Sequence, residues 1–298
     1  MHEGVTAEIE YCVTKRNEYD LICISTRSSV FGFRVRLMPD DRLFLTEQIQ
    51  RMAAALVATH PAGAGLCLIG GFRYRLLDRG ARFSVDIDYH WIGDLATKQQ
   101  ELVNLFQRRL LSDVRRRLNL DGSVAAGRGD SPVATVVDLA FWRLGSNVGR
   151  IEIPIDILRL ECADPPTVRT TDGVVYRTTS NADMLESKVI AVVGRTFLEH
   201  RDLVDLYLFE SQAAPDAAAR LSVKLATLGI QPDTVARRLE DLGDSKAVHV
   251  AAVDRIIREQ VDSEAAEALL RAGGGAIVVP VVHALLDRLL SPPQGTVA

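Results

Sequence analysis

Alternating apolar and polar positions characterise the first 40 residues, and helical spacing follows them. Apolar residues recur at every second position in three short stretches, around Ile9–Val13, Leu21–Cys23 and Val30–Leu37. Because the side chains of a strand alternate between its two faces, we predict two or three strands in a small N-terminal sheet. From Leu43 to His60 the apolar spacing becomes three to four residues. This spacing predicts a helix that ends at the following Pro-Ala-Gly-Ala-Gly.

Two short strands on either side of a Gly-Gly step follow this helix. Leu66 to Ile69 is an apolar run, Gly70 and Gly71 interrupt it, and we predict a short helical turn next. A Gly-Ala-Arg-Phe-Ser link leads into a second predicted strand, which contains Asp86 and Asp88. Residues two apart in a strand point to the same face, so these two carboxylates are predicted to project together, with their immediate neighbours packed on the other face.

The middle of the chain combines one long helix with further strands. Ala96 to Leu118 has the spacing of an amphipathic helix, whereas Asp121 to Pro132 is rich in Gly, Ser and Asp and is predicted to be a loop. Two strands, Ala134–Leu144 and Arg150–Leu160, are joined by Gly-Ser-Asn and form a predicted hairpin. Val174–Thr178 is a further predicted strand.

The second strand of that hairpin has an apolar face and a polar face. Isoleucine occupies every second position from Ile151 to Ile157, and Glu152, Pro154 and Asp156 alternate with these isoleucines. A proline cannot donate a backbone hydrogen bond to a neighbouring strand, so Pro154 predicts an edge strand or a bulge.

Helical spacing dominates from Asn181 onward, except for a β-branched stretch near Gly273–Val282. We therefore predict an α/β fold with two domains. A mixed-sheet N-terminal domain covers residues 1–178, of which residues 1–40 supply the extra strands. An α-helical C-terminal domain covers residues 179–298.

The composition is that of a globular protein and argues against several other classes. Of the 298 residues, 47% are hydrophobic and 25% are charged, which is ordinary for such proteins. No apolar run is long enough to span a bilayer and the N-terminus lacks the parts of a signal peptide, so we predict a cytoplasmic protein with no membrane partner. The four cysteines are scattered without a C-x-x-C pair, which predicts free thiols and argues against zinc.

The net charge of −4 argues against a protein that coats nucleic acid over its whole surface. A local basic patch is still compatible with it. Arginines occur on the predicted helix after Ala96 and around the Gly-Gly step, where they form a candidate RNA-facing rim. Exposed arginines are also the ordinary solvated face of a helix, and that alternative stays open. The arginines are Arg73, Arg75, Arg79, Arg82, Arg108, Arg109, Arg115, Arg116 and Arg117.

Asp86 and Asp88 have the chemistry of a metal site. Two carboxylates side by side repel each other, and a divalent cation removes that repulsion. Mg²⁺ prefers carboxylate oxygens together with substrate phosphates. Gly70 and Gly71 have no Cβ, so the backbone N–H groups at the start of the following helix can approach a polyphosphate. We interpret the segment as a site for Mg²⁺ and an NTP; the alternative is a hairpin edge with solvated acids.

The same segment resembles a known motif. Gly70 and Gly71, followed by the run Arg82-Phe-Ser84-Val-Asp86-Ile-Asp88, match the pattern G-G-(x)n-R-x-S-x-D-x-D. This is the motif of the AbiEii/AbiGii nucleotidyltransferase toxin family, which includes the mycobacterial MenT toxins. The resemblance implies a nucleotidyltransferase-like N-terminal domain. It also implies an active site in the cleft between this domain and the helical domain. It also implies that Asp86 and Asp88 bind metal, and that the residues cradling phosphate are Gly70, Gly71, Arg82 and Ser84.

A third carboxylate is expected on a strand beside the acidic pair, because three carboxylates usually hold the metal ions in nucleotidyl transfer. Glu152 and Asp156 both fit this expectation. The family pattern has an acidic residue inside an I-E-V-like strand, which favours Glu152 as a metal ligand or base and leaves Asp156 as the alternative. An acid on the wet face of an edge strand is the plain structural interpretation.

A second resemblance lies in the run from Glu186 to Leu206, which is similar to the family block K-(x)n-R-(x)n-R-D-x-x-D-L. Lys188 and Arg195 are seven residues apart and share one face of a helix. The resemblance implies that Lys188 and Arg195 bind the triphosphate and that Asp202 orients the lysine or the substrate hydroxyl. The spacing from Arg195 to Asp202 is a little longer than the family pattern, and a charge-stapled helix start is the structural alternative.

The two resemblances together imply an enzyme. It transfers a nucleoside monophosphate from an NTP, with Mg²⁺, to an RNA acceptor, particularly the tRNA 3′ end, and it acts as the toxin of a toxin–antitoxin pair that blocks translation. Two alternatives stay open. The acceptor hydroxyl belongs to a protein or a small molecule, or the chain is an inactive module that binds a nucleotide or an antitoxin. Ser84, beside the predicted triphosphate, is also a candidate for a silencing modification.

Overall fold

The structure is a computed structural model that describes residues 12–15, 20–23, 39–129, 134–143 and 149–291. The chain divides into two compact units, Met1–Arg36 and Leu37–Ala298. The first unit contains strands β1 (Cys12–Lys15) and β2 (Asp20–Cys23), which pair antiparallel. These strands confirm a small N-terminal sheet. The strand predicted around Val30–Leu37 lies outside the described residues.

A seven-stranded mixed sheet forms the centre of the second unit. Its order is β5-β6-β7-β4-β3-β9-β8, with β4–β7 and β3–β9 parallel and the other neighbours antiparallel. The predicted α/β class is confirmed by this mixed sheet and by the helices around it. The strands are β3 (Cys67–Ile69), β4 (Ile87–His90), β5 (Leu120–Arg128), β6 (Ala134–Arg143), β7 (Ile151–Leu158), β8 (Thr167–Thr171) and β9 (Val174–Thr178).

One face of the sheet is covered by helices and encloses the first hydrophobic core. Helix α1 (Pro39–Thr59) and the helices α3 (Leu95–Leu105) and α4 (Leu111–Leu118) pack there, and a π-helical turn at Phe106–Leu110 joins α3 to α4. The isoleucines of β7 and Ile87 of β4 are buried in this core. Strand alternation therefore directs the acidic residues of β4 and β7 to the opposite face.

The helical part of the chain encloses a second core. Ser180 caps the helix Asn181–Gly194 by accepting a hydrogen bond from the backbone N–H of Asp183. Ile69 and Tyr74 also belong to this core, and the Tyr74 ring stacks on Phe209 with 4.0 Å between ring centroids. The helices are α2 (Gly70–Leu77), α5 (Asn181–Gly194), α6 (His200–Phe209), α7 (Ala217–Thr227), α8 (Pro232–Asp244), α9 (Lys246–Gln260), α10 (Ser263–Ala272) and α11 (Gly275–Leu290).

The predicted domain boundary near residue 178 coincides with the change from strands to helices. The described residues form two hydrophobic clusters, but the second includes Ile69 and Tyr74 from before this position, and Leu37–Ala298 is a single compact unit. A division into two separate domains therefore stays a prediction. The β-branched stretch near Gly273–Val282 lies mostly inside α11, a helix that contains Pro280.

The sequence prediction was wrong for the segment that begins at Asp121. Instead of a loop, β5 pairs with β6 over nine residues. The glycines that suggest a loop fit the sheet because each leaves room for a neighbour. A Cβ at Gly122 would lie 2.6 Å from the ring of Phe141. Residues 130–133, at the end of the predicted loop, lie outside the described residues.

Pro154 occupies an interior strand, not the edge strand that it predicts. The strand β7 pairs with β6 along its length, but its pairing with β4 begins only at Ile155. Pro154 therefore has a strand neighbour on the β6 side alone. On its other side no strand pairs with it, so a missing N–H there removes no hydrogen bond of the sheet. The Gly-Ser-Asn link of the predicted β6–β7 hairpin lies outside the described residues, whereas the antiparallel pairing itself is confirmed.

Within the described part of the chain, no individual helix combines the length and apolar character needed to cross a membrane. Only α10 and α11 taken together, with a bend of 81° between them, meet that criterion by length and composition.

Candidate active site

Three aspartates meet where the interior strands β4 and β7 run side by side. Asp88 on β4 lies directly opposite Asp156 on β7 in the parallel register, and Asp86 immediately precedes β4. One carboxylate oxygen from each aspartate lies within 4.8 Å of the others. A divalent cation that takes oxygen ligands fits such a group. These aspartates, Asp86, Asp88 and Asp156, are called the acid cluster below.

Of the two candidates for the third carboxylate, the structure groups Asp156 and not Glu152 with Asp86 and Asp88. Glu152 is on the same face of β7 as Asp156 but four residues earlier, which corresponds to roughly 13 Å along a strand. Its side chain is 68% exposed, and its carboxylate forms an ion pair with Arg150 at 3.0 Å. The pairing of β7 with β4 starts after this position, so Glu152 has no acidic neighbour on β4. Asp156, the alternative, takes its place.

The electrostatics of the acid cluster are those of too many negative charges in one place. Burial, together with the nearby carboxylates of Asp86 and Asp156, raises the pKa of Asp88 well above its usual value. Burial also acts to raise the pKa of Asp86. The charge of Arg201, the hydrogen bond from Ser84 and other positive groups outweigh burial and hold that pKa low. A bound divalent cation would offset the repulsion that raises the pKa of Asp88.

The two glycines leave space that the acid cluster needs. Gly70 begins α2 with φ of +75°, and a Cβ there would overlap the carboxylate of Asp88. A Cβ at Gly71 would lie 2.5 Å from Nη2 of Arg82 and 2.9 Å from Oγ of Ser84. The Gly-Gly step therefore allows the start of α2 to lie against the acids and the Arg-Phe-Ser link. This arrangement brings Gly70, Gly71, Arg82 and Ser84 together, as predicted.

The short segment before β4 is held by side chains. The Ser84 hydroxyl donates to Oδ1 of Asp86 at 2.6 Å. The Nε2 of Gln50, on α1, donates to the carbonyl oxygens of both Ser84 and Asp86 at 3.1 Å. Gln50 is fully buried, and its Oε1 has no hydrogen-bond partner among the described residues. The sequence prediction missed Gln50, because a glutamine inside an amphipathic helix carries no signal of its own.

One neighbour of the acidic pair is not packed as predicted. Val85 was expected to lie on the apolar face of the strand, but 40% of it is exposed. The reason is that β4 starts only at Ile87, so Val85 precedes the regular alternation. The backbone of the Arg-Phe-Ser link instead contacts the end of α9, where the N–H of Phe83 donates to the carbonyl of Gln260 at 2.6 Å.

A chain of ion pairs extends from Arg82 to the helical region. Arg82 donates from Nε and Nη2 to the two carboxylate oxygens of Asp205, at 2.6 and 2.7 Å. Nζ of Lys188 contacts Asp205 at 3.0 Å and Asp202 at 2.7 Å. Arg195, just beyond α5, donates to the second oxygen of Asp202 at 2.7 Å. The block predicted from sequence is therefore assembled as one network, called the ion chain below.

Each acid of the ion chain contacts two basic side chains, in contrast to the converging carboxylates of the acid cluster. Burial acts to raise the pKa of Asp205, but Arg82 and Lys188 lower it to about 2. The same two aspartates, Asp202 and Asp205, raise the pKa of Lys188 against the opposing effect of burial. Asp205 and Lys188 are thus charged at neutral pH. Asp202 contacts Lys188 as the predicted orienting role requires, and that role stays a prediction.

Arg201 connects the two groups. Its Nη1 donates to Oδ2 of Asp86 at 3.0 Å. The residue lies at the start of α6, directly before Asp202 of the ion chain. The family block R-D-x-x-D-L includes this arginine, but the sequence analysis assigned no role to it.

The predicted RNA-facing rim is divided by the fold. The arginines of α4 and the preceding π-helical turn are exposed, but these helices cover the sheet face opposite the acid cluster. Near the Gly-Gly step, Arg73 is fully buried and pairs with Asp78 and Asn181, and Arg75 pairs with Glu47 and Asp262. These two arginines stabilise the fold. A role for any arginine in RNA binding stays a prediction.

Comparison with known proteins gives similarity to solved structures. No protein-family model and no curated protein matches the chain. A proposed nucleotidyltransferase of H. pylori is 15% identical, covers 85% of this chain and 99% of its own, and gives a TM-score of 0.49. The nucleotidyltransferase toxin MenT4 of Mycobacterium tuberculosis is 18% identical, covers 85% and 95%, and gives 0.48. The Helicobacter pylori protein JHP933 is 14% identical, covers 83% and 94%, and gives 0.43.

Proposed function

We propose that the protein is a Mg²⁺-dependent nucleotidyltransferase that transfers a nucleoside monophosphate from an NTP to a hydroxyl group of RNA. The observation that carries this proposal is the acid cluster of Asp86, Asp88 and Asp156 beside a Gly-Gly step. Three carboxylate oxygens within 4.8 Å of one another, with the pKa of Asp88 raised by burial and by the neighbouring acids, favour a divalent cation. The open backbone of Gly70 and Gly71 next to them favours a phosphate-bearing substrate.

The reaction needs positioning more than covalent chemistry from the protein. The acceptor hydroxyl oxygen bonds to the α-phosphorus, the bond to the bridging oxygen breaks, pyrophosphate leaves, and the hydroxyl proton passes to solvent. Mg²⁺ held by the three aspartates would bind the triphosphate, lower the pKa of the hydroxyl and neutralise charge on the leaving pyrophosphate. Gly70, Gly71 and Ser84 would orient the phosphates from one side of the acid cluster.

The ion chain supplies cationic residues next to this arrangement, and one of them, Arg82, lies beside Gly71. Lys188 is buried between Asp202 and Asp205, so its ammonium group is held in place before a substrate arrives. Arg195 is more exposed and has a single acidic partner, Asp202. We propose that Lys188 and Arg195 bind the triphosphate and that Asp202 fixes both cations. Arg82, held by Asp205, then acts mainly by fixing the link that carries Ser84.

The acceptor follows from the motif resemblance. The AbiEii/AbiGii pattern at Arg82, Ser84, Asp86 and Asp88 supports RNA, specifically the tRNA 3′ end, as the acceptor. Modified tRNA cannot be aminoacylated, so translation stops and the protein acts as a toxin with a cognate antitoxin. A tRNA acceptor places the reaction in the cytoplasm.

The test is an incubation of purified protein with each α-labelled NTP, Mg²⁺ and total tRNA. Asp156→Asn and Glu152→Gln form a matched pair on one face of β7, each replacing one carboxylate by its amide. We expect label on tRNA with the wild type and with Glu152→Gln, and none with Asp156→Asn. Equal loss in both variants would overturn the assignment of Asp156.

The other outcomes separate the alternative functions. Label on the protein itself, or on another component of an added lysate, would move the acceptor to a protein or a small molecule. Nucleotide binding that needs Mg²⁺ but is followed by no transfer to any acceptor would identify an inactive binding module. Neither result is expected for an RNA nucleotidyltransferase.

A further inference from the structure

Both carboxylate oxygens of Asp86 already have donors in the acid cluster. Ser84 donates its hydroxyl to Oδ1 at 2.6 Å, and Arg201 donates Nη1 to Oδ2 at 3.0 Å. Each oxygen keeps a second lone pair, so a metal ion that binds Asp86 together with Asp88 and Asp156 either shares an oxygen with one of these donors or displaces it. The hydroxyl of Ser84 is neutral, whereas the guanidinium of Arg201 carries a positive charge that competes directly with the cation.

Arg201 is held less firmly than the other arginine beside the acid cluster. Arg82 is 3% exposed in its side chain and makes two short contacts with Asp205. The side chain of Arg201 is 25% exposed, with one contact to Asp86 and a longer one to Glu199 at 3.8 Å. Arg201 can thus leave Asp86 without breaking the buried ion chain. A guanidinium is also well suited to phosphate oxygens, since its N–H groups can bind two of them at once.

We propose that Arg201 is a removable counter-ion that occupies Asp86 in the metal-free site and transfers to the triphosphate when metal and NTP bind. This inference rests on the proposed function, because it requires the acid cluster to bind a metal–nucleotide complex. It assigns to Arg201 a role toward the metal site that differs from that of Lys188 and Arg195, which have acidic partners of their own outside the acid cluster.

Two consequences with opposite signs follow. Without nucleotide, a metal ion has to compete with the guanidinium of Arg201, so removing that group strengthens metal binding. With nucleotide, the guanidinium gains phosphate partners, so removing it weakens nucleotide binding. Metal and nucleotide therefore bind cooperatively in the wild type, and the cooperativity decreases when Arg201 is replaced.

The experiment measures Mn²⁺ binding by electron paramagnetic resonance, first alone and then with the α,β-methylene analogue of each NTP, which cannot transfer its nucleotide. The variants are Arg201→Gln and Arg195→Gln. Arg195 is the matched control, because its replacement removes the same charge from the same region while its guanidinium contacts Asp202 and not Asp86. Thermal unfolding of each variant establishes that it is folded.

For Arg201→Gln we expect Mn²⁺ alone to bind about fivefold more tightly than to the wild type, and the analogue to bind about tenfold more weakly. Arg195→Gln should change Mn²⁺ binding much less, because only long-range charge is lost there. Arg201→Lys, which keeps the charge on a shorter and differently shaped side chain, should lie between the wild type and Arg201→Gln in both measurements.

The failures are distinguishable. If Arg201→Gln binds Mn²⁺ no more tightly than Arg195→Gln does, while the wild type binds Mn²⁺ and analogue, the counter-ion role is overturned and the proposed function is untouched. If the wild type binds no Mn²⁺ with or without any analogue, the proposed function itself fails, and the role of Arg201 fails with it.

Discussion

Two groups of buried and half-buried acidic residues in this chain differ in whether the acids lie against basic side chains or converge on one another. In the helical region, Asp183 and Glu186 on α5 face Arg220 and Lys224 on α7. Lys224 contacts the two acids at 2.5 and 2.6 Å, and Arg220 contacts them at 3.0 and 2.6 Å. In the acid cluster, three aspartates converge, and an ion pair from Arg201 reaches Asp86.

The pKa values follow this difference. Burial acts to raise the pKa of Asp183, but its hydrogen bonds, above all from Lys224, bring it below its usual value. Burial and the neighbouring aspartates raise the pKa of Asp88. The balanced group of Asp183 and Glu186 thus stabilises the fold when charged, whereas the acid cluster is destabilised by its own charge until a cation binds. Carboxylates that converge on one another favour a bound cation, whereas carboxylates paired with basic side chains favour a role in stabilising the fold.

The largest expected effect comes from neutralising one acid in each group. Asp88→Asn should lower nucleotidyl transfer by roughly 10³-fold, because one metal ligand is lost. The same change should stabilise the metal-free protein by about 1 kcal/mol, because it removes a carboxylate that repels its neighbours. Asp183→Asn should do the opposite, with a loss of about 3 kcal/mol in stability, because it removes a buried carboxylate that accepts hydrogen bonds from Lys224, Arg220 and two backbone N–H groups.

Chemical denaturation with a chelator present and the labelled-tRNA assay measure the two quantities. The activity of folded Asp183→Asn should stay within about twofold of the wild type, since Asp183 touches no residue of the acid cluster. Destabilisation by Asp88→Asn in the metal-free protein would contradict the comparison.

The next effect sharpens the role of the Gly-Gly step. Gly70 and Gly173 have nearly the same positive φ, +75° and +74°, so replacement by alanine costs the same backbone strain, about 1–2 kcal/mol. Only at Gly70 does the new Cβ meet the carboxylate of Asp88; at Gly173 no atom lies within 4 Å. Gly70→Ala should weaken Mn²⁺ binding at least about tenfold, whereas Gly173→Ala should leave it unchanged. Similar Mn²⁺ binding by both variants would remove the close approach from the site.

A smaller effect concerns pH. Because the pKa of Asp88 is raised in the folded, metal-free protein, a proton on Asp88 stabilises the fold as pH falls from that raised value toward the ordinary value near 4. The stabilisation is lost as pH rises through the raised pKa. Metal binding needs the carboxylate, so Mn²⁺ should bind more tightly as pH rises through this range and should release a proton.

Calorimetry in two buffers of different ionisation enthalpy measures that proton release. Asp88→Asn is the control, and its residual Mn²⁺ binding should release no proton. Equal proton release by the wild type and Asp88→Asn would assign the released proton to a different group.

The smallest expected effect comes from Gln50. Gln50→Leu removes the donor that holds the carbonyls of Ser84 and Asp86, and Mn²⁺ binding should weaken by about threefold to tenfold. Gln99 is a matched control, because its Nε2 also donates to two backbone carbonyls, those of Gly127 and Val136. Gln99→Leu should lose a similar amount of stability, about 1 kcal/mol, with unchanged Mn²⁺ binding. Equal effects on Mn²⁺ binding would reduce Gln50 to a general structural residue.

The residues that the sequence predicts well are those whose role depends on near neighbours along the chain. The Gly-Gly step, the Arg-x-Ser link and the Asp-x-Asp pair lie within nineteen positions of one another, from Gly70 to Asp88, and the structure places them together. The sequence could not distinguish Glu152 from Asp156, because both residues occupy the same face of one strand. Only the register of β7 against β4 distinguishes them, and alternation contains no information on register.

The loop predicted from Asp121 was wrong for a related reason. Gly and Ser have low strand propensity, but β5 pairs with β6, where Gly122 and Gly127 make room for Phe141 and Asp138. Strand propensity depends on such neighbours across the sheet. Gln50 and Arg201 were not assigned to the site because their partners are distant in sequence.

By itself, the sequence determined the α/β class, the change to helices at Asn181 and the chemistry of the Gly70–Asp88 segment, because periodicity and local spacing act within a few residues. The tertiary structure decided which third carboxylate completes the acid cluster, which acids have basic partners and which cation occupies Asp86. Those are distances between segments far apart in the chain, from Gln50 to Arg201, and only the packing of β4, β7 and α6 sets them.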